Sequence, residues 1–213
     1  ALNDALKLTS GEWVFILDAD AQLRNDTLIK LLNYAFRGKW SAVQLRKSVI
    51  NGSQNLLTKC QSIEMVMDAF FQIGRLSSGG VSELRGNGQL INKKILIESG
   101  SFNEDTVTDD LDLSVRLLLF GSEIGILWDP PVMEEAVETL PALFAQRQRW
   151  AEGGLQRFLD YWPLLISRRL SNLKKLDLSC FFLLQYVLPV VSFIDFILSL
   201  ILFEMPLYWP LSI

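Results

Sequence analysis

Asp18-Ala19-Asp20 places two carboxylates one residue apart at the end of the apolar run Trp13-Val-Phe-Ile-Leu17. Hard oxygen ligands in that spacing suit Mg2+ or Mn2+ bound against a diphosphate, where the ion neutralises charge that grows as the diphosphate departs. Asx-turn acids in a surface loop produce the same triplet. A second acidic group, Thr108-Asp109-Asp110-Leu111-Asp112, opens a helical pattern. Carboxylates there gain from the helix dipole whether or not they react. Asp112 stands four residues before Arg116 and reads as half of an exposed i,i+4 pair. The chain contains no histidine, so Asp109 or Asp110 is the natural general base for an attacking hydroxyl.

A third group is Gln146-Arg147-Gln148-Arg149-Trp150. Positions 146, 149 and 150 share one helix face. That face offers an amide, a guanidinium suited to bidentate phosphate contact, and an indole plane on which a sugar or lipid headgroup can rest. An amphipathic helix lying in a membrane surface would carry the same residues, with a snorkelling Arg and a Trp at headgroup depth. Leu143, Phe144, Leu155, Phe158 and Trp162 supply apolar contacts nearby.

These groups need elements to hold them. Apolar spacing predicts a helix over 1–8, a buried strand over 13–17, a helix from Asn25 as N-cap to Phe36, and a strand over 41–46. A long helix follows over 53–76, then two loops, 77–80 and 86–88, around a short extended stretch. Asn92 caps a short helix ending at Gly100, and Thr108 caps one running to Phe120. Ile124 to Trp128 reads as a strand stopped by Pro130-Pro131, and Thr139 with Pro141 starts a long helix toward Tyr161. Alternating strands and helices imply an α/β sheet, with Asp18 and Asp20 at a strand end where such sheets bind ligands. Gly153-Gly154 inside the last helix implies a close approach or a bend.

Half of the 213 residues are hydrophobic and the mean hydropathy is +0.25, which points to apolar surface facing something other than water. Leu178 to Phe203 has the length of a bilayer span, with Asp195 as its charge and Pro189 as a source of a kink. Asp195 reads either as a functional intramembrane acid or as one facing a partner helix. Arg168, Arg169, Lys174 and Lys175 precede the span, which puts the preceding domain in the cytoplasm, and Tyr208 and Trp209 suit the far interface. A net charge of −4 gives no footprint for nucleic acid. Two cysteines, Cys60 and Cys180, make neither a disulfide framework nor a thiolate metal site. The absence of histidine excludes Ser/His/Asp hydrolysis and a His-ligated zinc. The chain opens at Ala1 within a helical pattern, with no initiator Met or signal peptide, so an N-terminal part is expected to precede it.

The order D-A-D after a strand, T-D-D at a helix start and Q-R-Q-R-W before a span resembles the D-x-D, T-E-D and Q-x-x-R-W series of the family-2 membrane glycosyltransferases, over about residues 2–161. Cellulose and hyaluronan synthases belong to that family. Glu83-Leu-Arg-Gly-Asn-Gly88, Thr108-Asp-Asp-Leu-Asp-Leu113 and the stretch Arg149 to Trp162 are similar to its cyanobacterial β-monoglucosyldiacylglycerol synthase subfamily. Asp109 stands where the wider family has Glu, keeping the charge on a shorter side chain.

The resemblance implies a GT-A type, Rossmann-like α/β domain over 1–138, an amphipathic interfacial helix and basic juxtamembrane segment over 139–176, and a transmembrane segment over 177–213. By it, Asp18 and Asp20 bind the metal and UDP, Asp110 is the base with Asp109 beside it, and Gln146, Arg149, Trp150 and Asn87 line the nucleotide-sugar and acceptor site. The implied reaction is inverting transfer of glucose from UDP-glucose to 1,2-diacylglycerol with Mg2+ or Mn2+, on a cytoplasmic or thylakoid membrane that the full-length protein crosses several times. A processive β-glycan synthase is the alternative within the same chemistry, and a membrane scaffold whose acids only cap helices is the alternative outside it.

Overall fold

The computed structural model describes residues 1–202 and 205–207. Four strands form one mixed sheet in the order β1-β3-β2-β4: β1 is Trp13–Ile16, β2 Ala42–Val49, β3 Gln89–Asn92 and β4 Ile124–Glu134. β3 runs antiparallel to both neighbours, and β2 and β4 run parallel. The period-two alternation of the strands decides the layers. Ala42 and Ile91 face one cluster with Leu84, Leu96, Leu113 and Leu117. Val43, Leu45 and Leu90 face the other with Leu31 and Val132.

The helices are α1 (Leu2–Leu8), α2 (Thr27–Gly38), α3 (Leu56–Ser77), α4 (Lys93–Glu98), α5 (Asp109–Leu119), α6 (Leu140–Leu165), α7 (Asn172–Phe182) and α8 (Leu188–Leu202). α3 starts in a capping box, with Asn55 and Thr58 satisfying each other's backbone N–H groups. A third cluster, including Val81, Val115, Leu118, Phe158, Leu165 and Leu178, joins α5, α6 and α7. α6 is thus packed on the sheet domain along one face.

Several expectations change. The N-cap of α2 is Asp26 rather than Asn25. β1 is an edge strand and only half-buried, because sheet pairing covers it on one side. The extended stretch expected between the two loops is not a strand; β3 follows the second loop instead. Pro130-Pro131 does not end β4: the ladder pairs Leu45 with Leu127 and resumes at Lys47 with Val132. The two prolines fall in that irregularity, where no ladder N–H is required of them.

Asn172–Leu202 is a run of 31 residues with mean hydropathy 2.1, long and apolar enough to cross a membrane. It begins six residues earlier than the apolar count suggests, because its first turns dock on the domain through Asp177 and the buried Leu178. The irregularity expected at Pro189 is a π turn over Leu183–Val187 just before it. Proline has no N–H for the carbonyl of Gln185, so the ladder must adjust there. Tyr208, Trp209 and Phe203 lie outside the described residues.

Candidate active site

The chain leaves β1 at Ile16 and reaches Asp18 two residues later, at the rim of the sheet. The backbone N–H of Asp18 donates to Oδ1 of Asn87 at 3.1 Å. Asn87 is fully buried, donates Nδ2 to Oε2 of Glu134 at 3.1 Å, and its carbonyl accepts from Gln44 at 2.7 Å. Glu134, at the end of β4, also pairs with Lys47 of β2 at 3.2 Å. Asn87, expected among the ligand-binding residues, is therefore the pin that holds the Asp18 loop to the strand ends. Gly88 has φ +78°, and a β-carbon there would stand 2.6 Å from Val132 Cγ1, so the loop can lie flat on the sheet only with glycine.

Four acids and a lysine converge at this rim. Burial raises the proton affinity of Asp18, Glu134, Asp20 and Asp109 raise it further, and Lys47 opposes them. Oδ2 of Asp20 accepts from the backbone N–H of Glu135 at 3.3 Å. Asp110 is half-buried at the start of α5, and a β-carbon on Gly86 would lie 3.5 Å from its Oδ2. Burial raises its pKa and Asp109 adds to that, while the Leu111 amide, Arg85 and Lys47 pull it down. A carboxylate of raised proton affinity beside an open rim can accept a proton from a bound hydroxyl.

Asp112 is not the exposed partner that its spacing suggested. It is 2% exposed, accepts from Arg116 Nε and from the Tyr161 hydroxyl at 2.7 Å each, and pushes the Tyr161 pKa, already raised by burial, up to about 12. It fastens α5 to α6.

The residues expected to share a face lie on one helix, α6, and differ in exposure. Trp150 is half-buried, with Lys47 Nζ 5.9 Å and the Arg147 guanidinium 4.3 Å from its ring centre. Arg147 in turn pairs with Glu64 at 2.6 Å. Arg149 is exposed, and the Oε1 atom of Gln146 is buried without a hydrogen-bond partner. Lys47 thus links Trp150 to the acids.

Among the described residues no three acidic or thiol side chains close around a point that could hold a metal ion. Asp18 and Asp20 form an open pair in a field of excess negative charge. That fits Mg2+ or Mn2+ taking its other ligands from water and substrate phosphates. Lys47, Glu134, Arg85 and Glu83 escaped the reading of the sequence. Glu83 and Arg85 lie inside a motif already singled out, whereas only strand pairing brings Lys47 and Glu134 together.

Residues 13–211 match the family model described as glycosyl transferase family group 2. The chain is 45% identical over 212 residues to the β-monoglucosyldiacylglycerol synthase of Synechocystis sp., covering 100% of this chain and 44% of that protein. It is 43% identical over 212 residues to the enzyme of the same name from Trichormus variabilis, covering 100% of this chain and 45% of that one. The chain therefore spans less than half the length of these relatives. In fold it is similar to the mannosyltransferase PcManGT from Pyrobaculum calidifontis, solved with GDP-Man and Mn2+, with a TM-score of 0.58, 21% identity, and coverage of 76% of this chain and 43% of that one.

Proposed function

The chain belongs to glycosyl transferase family group 2, and from that membership we propose that it carries the base and the metal-binding acids of an active site transferring glucose from UDP-glucose to 1,2-diacylglycerol with inversion. One observation carries the reading. Asp18 lies within the field of Asp109, so the acids of the β1 end and of the α5 start meet at one rim, with Asp110 holding a raised proton affinity beside them. Two relatives named for β-glucosyl diacylglycerol synthesis support the sugar and the acceptor.

In this reading Asp110 takes the proton from the free hydroxyl of diacylglycerol. The oxygen attacks the anomeric carbon on the face opposite UDP, the bond from that carbon to the diphosphate breaks, and the α-linked donor yields a β-glucoside. Mg2+ or Mn2+ held by Asp18 and Asp20 would neutralise charge on the departing UDP. Arg149, exposed on α6, is free to reach the donor phosphates. The Trp150 ring, steadied by Arg147 and Lys47, offers a plane for the sugar or the glycerol headgroup.

Residues 1–138 act as the catalytic body, 139–176 as the interfacial and juxtamembrane part, and 177–213 as an anchor in a membrane that the whole protein crosses more than once. Arg168, Arg169 and Lys175 on the near side favour a cytoplasmic catalytic face, as does Lys174, which also pairs with Glu123 at 2.7 Å.

The test offers the full-length protein UDP-glucose together with diacylglycerol in bilayers, and separately with water-soluble glucosides or cello-oligosaccharides. A lipid-extractable monoglucoside supports the reading. Preference for the soluble acceptors, or an insoluble polymer, would put a processive β-glycan synthase in its place.

A further inference from the structure

The acidic loop after β1 is held at three consecutive residues where β4 ends. Met133 and Gln22 exchange backbone hydrogen bonds, at 2.8 Å from the Gln22 N–H and 3.0 Å from the Met133 N–H. The Glu135 N–H reaches Oδ2 of Asp20 at 3.3 Å. Between them Oε2 of Glu134 accepts from Nδ2 of Asn87 at 3.1 Å, and Oδ1 of Asn87 accepts from the Asp18 N–H at 3.1 Å. Met133 and Glu135 use backbone groups, which any residue there would supply. Of the three holds, Glu134 makes the one that depends on its side chain, and the reaction above gives that side chain no part.

Glu134 is itself fixed. Its carbonyl accepts from the Ile50 N–H at 2.9 Å, next to its pairing with Val49 in the ladder. Its Oε2 also pairs with Lys47 at 3.2 Å, and the two side chains are only 12% and 13% exposed. Lys47 supplies the countercharge that lets a carboxylate sit this deep. A side-chain amide can turn about its last bond and exchange its donor and acceptor ends. Asn87 is fully buried, so no water satisfies an end that points the wrong way. The Glu134 carboxylate has acceptor atoms only, and the Asp18 N–H only donates. With one at each end, the amide has a single satisfied orientation: Nδ2 toward Glu134 and Oδ1 toward Asp18. An apolar residue at 134 would leave Nδ2 unpaired and remove that direction.

We propose that Glu134 is a positioning residue of the metal-binding loop: by dictating the direction of the Asn87 amide it sets where the backbone of Asp18 lies, and with it the spacing of the two carboxylates that meet the ion. This rests on Asp18 and Asp20 binding the metal. Glu134 acts through Asn87 and not as a ligand, in the way that partners behind metal-binding side chains govern affinity.

The experiment uses the full-length protein and measures UDP affinity with and without Mn2+, together with the melting temperature. The variants are Glu134→Leu, Asn87→Asp and the double variant Asn87→Asp/Glu134→Gln. Glu134→Leu removes the acceptor behind Asn87. Asn87→Asp keeps an acceptor for the Asp18 N–H but sets two carboxylates against each other. The double variant reverses the bond: the new amide at 134 donates to the new carboxylate at 87, and the Asp18 N–H keeps its acceptor. Each single variant should weaken Mn2+-dependent UDP binding about 10–100-fold, with metal-free UDP binding nearly unchanged. The double variant should recover about tenfold or more of the Asn87→Asp loss. A Glu134→Leu protein that melts earlier but binds UDP and Mn2+ like wild type would overturn the proposal. So would a loss that is the same with and without Mn2+, or a double variant no better than Asn87→Asp. If Glu134→Leu does not fold, the comparison of Asn87→Asp with the double variant decides alone. Asp18→Ala separates the failures. Wild-type binding there removes the metal assignment and this inference together, whereas lost binding there beside wild-type binding in Glu134→Leu removes the positioning role alone.

Discussion

A β-carbon on Gly153 would collide with the side chain of Thr108, the residue that opens the helix carrying Asp109 and Asp110. α6 can lie on the start of α5 only because residue 153 has none. Gly153→Ala gains about 1 kcal/mol of helix propensity, yet Thr108 Cβ itself would stand 2.8 Å away, so a whole helix must move. Overpacking of this kind costs about 1–3 kcal/mol. We expect a lower melting temperature and a loss of turnover, since α6 carries Trp150 away from Lys47. Gly154→Ala meets the hydroxyl end of Tyr186, whose ring is packed against Phe158 and Phe182, so it too should lower the melting temperature.

Asp18→Ala and Asp20→Ala should each abolish metal-dependent UDP binding, measured by titrating UDP with and without Mn2+. Both residues are exposed at the rim, so the fold should survive. Wild-type titration curves in both variants would remove them from the metal site.

Asp112→Asn separates structure from chemistry within one motif. The change strips the charge from a buried partner of Arg116 and Tyr161. Breaking such a pair costs about 3–5 kcal/mol, so thermal unfolding should come markedly earlier. The protein that remains folded should turn over at close to the normal rate.

The pH profile should carry the mark of Asp109. As the proposed base Asp110 acts ionised, so turnover is expected to fall as pH drops through its pKa, which burial and Asp109 raise above the usual carboxylate value. Asp109→Asn removes one of those two causes. The acid limb of kcat/KM should therefore move to lower pH, and a shift upward would mean that Asp109 is not the neighbour that controls the base.

The order of motifs was legible because each has a recognisable local setting: Asp18 after an apolar run, Asp109 at a helix start, Trp150 within a helical period. Their convergence was not. Lys47 and Glu134 meet because β2 pairs with β4 after an irregularity at Arg46, a register that no local pattern announces. Asp112 was misread for a related reason. Its i,i+4 relation to Arg116 holds, but α6 covers the pair and supplies Tyr161. Gly153-Gly154, by contrast, announced a close approach through its cost in a helix, and the partners are Thr108 and Tyr186.

The most direct test of Asp110 as the base is Asp110→Asn in the full-length protein, with UDP-glucose binding and turnover measured on the same preparation. The amide keeps the shape and cannot accept the proton. Turnover should fall about 10²–10⁴-fold while UDP-glucose binds as in wild type and the residual product keeps the β configuration. Near-normal turnover would contradict the account and move the proton transfer to another group.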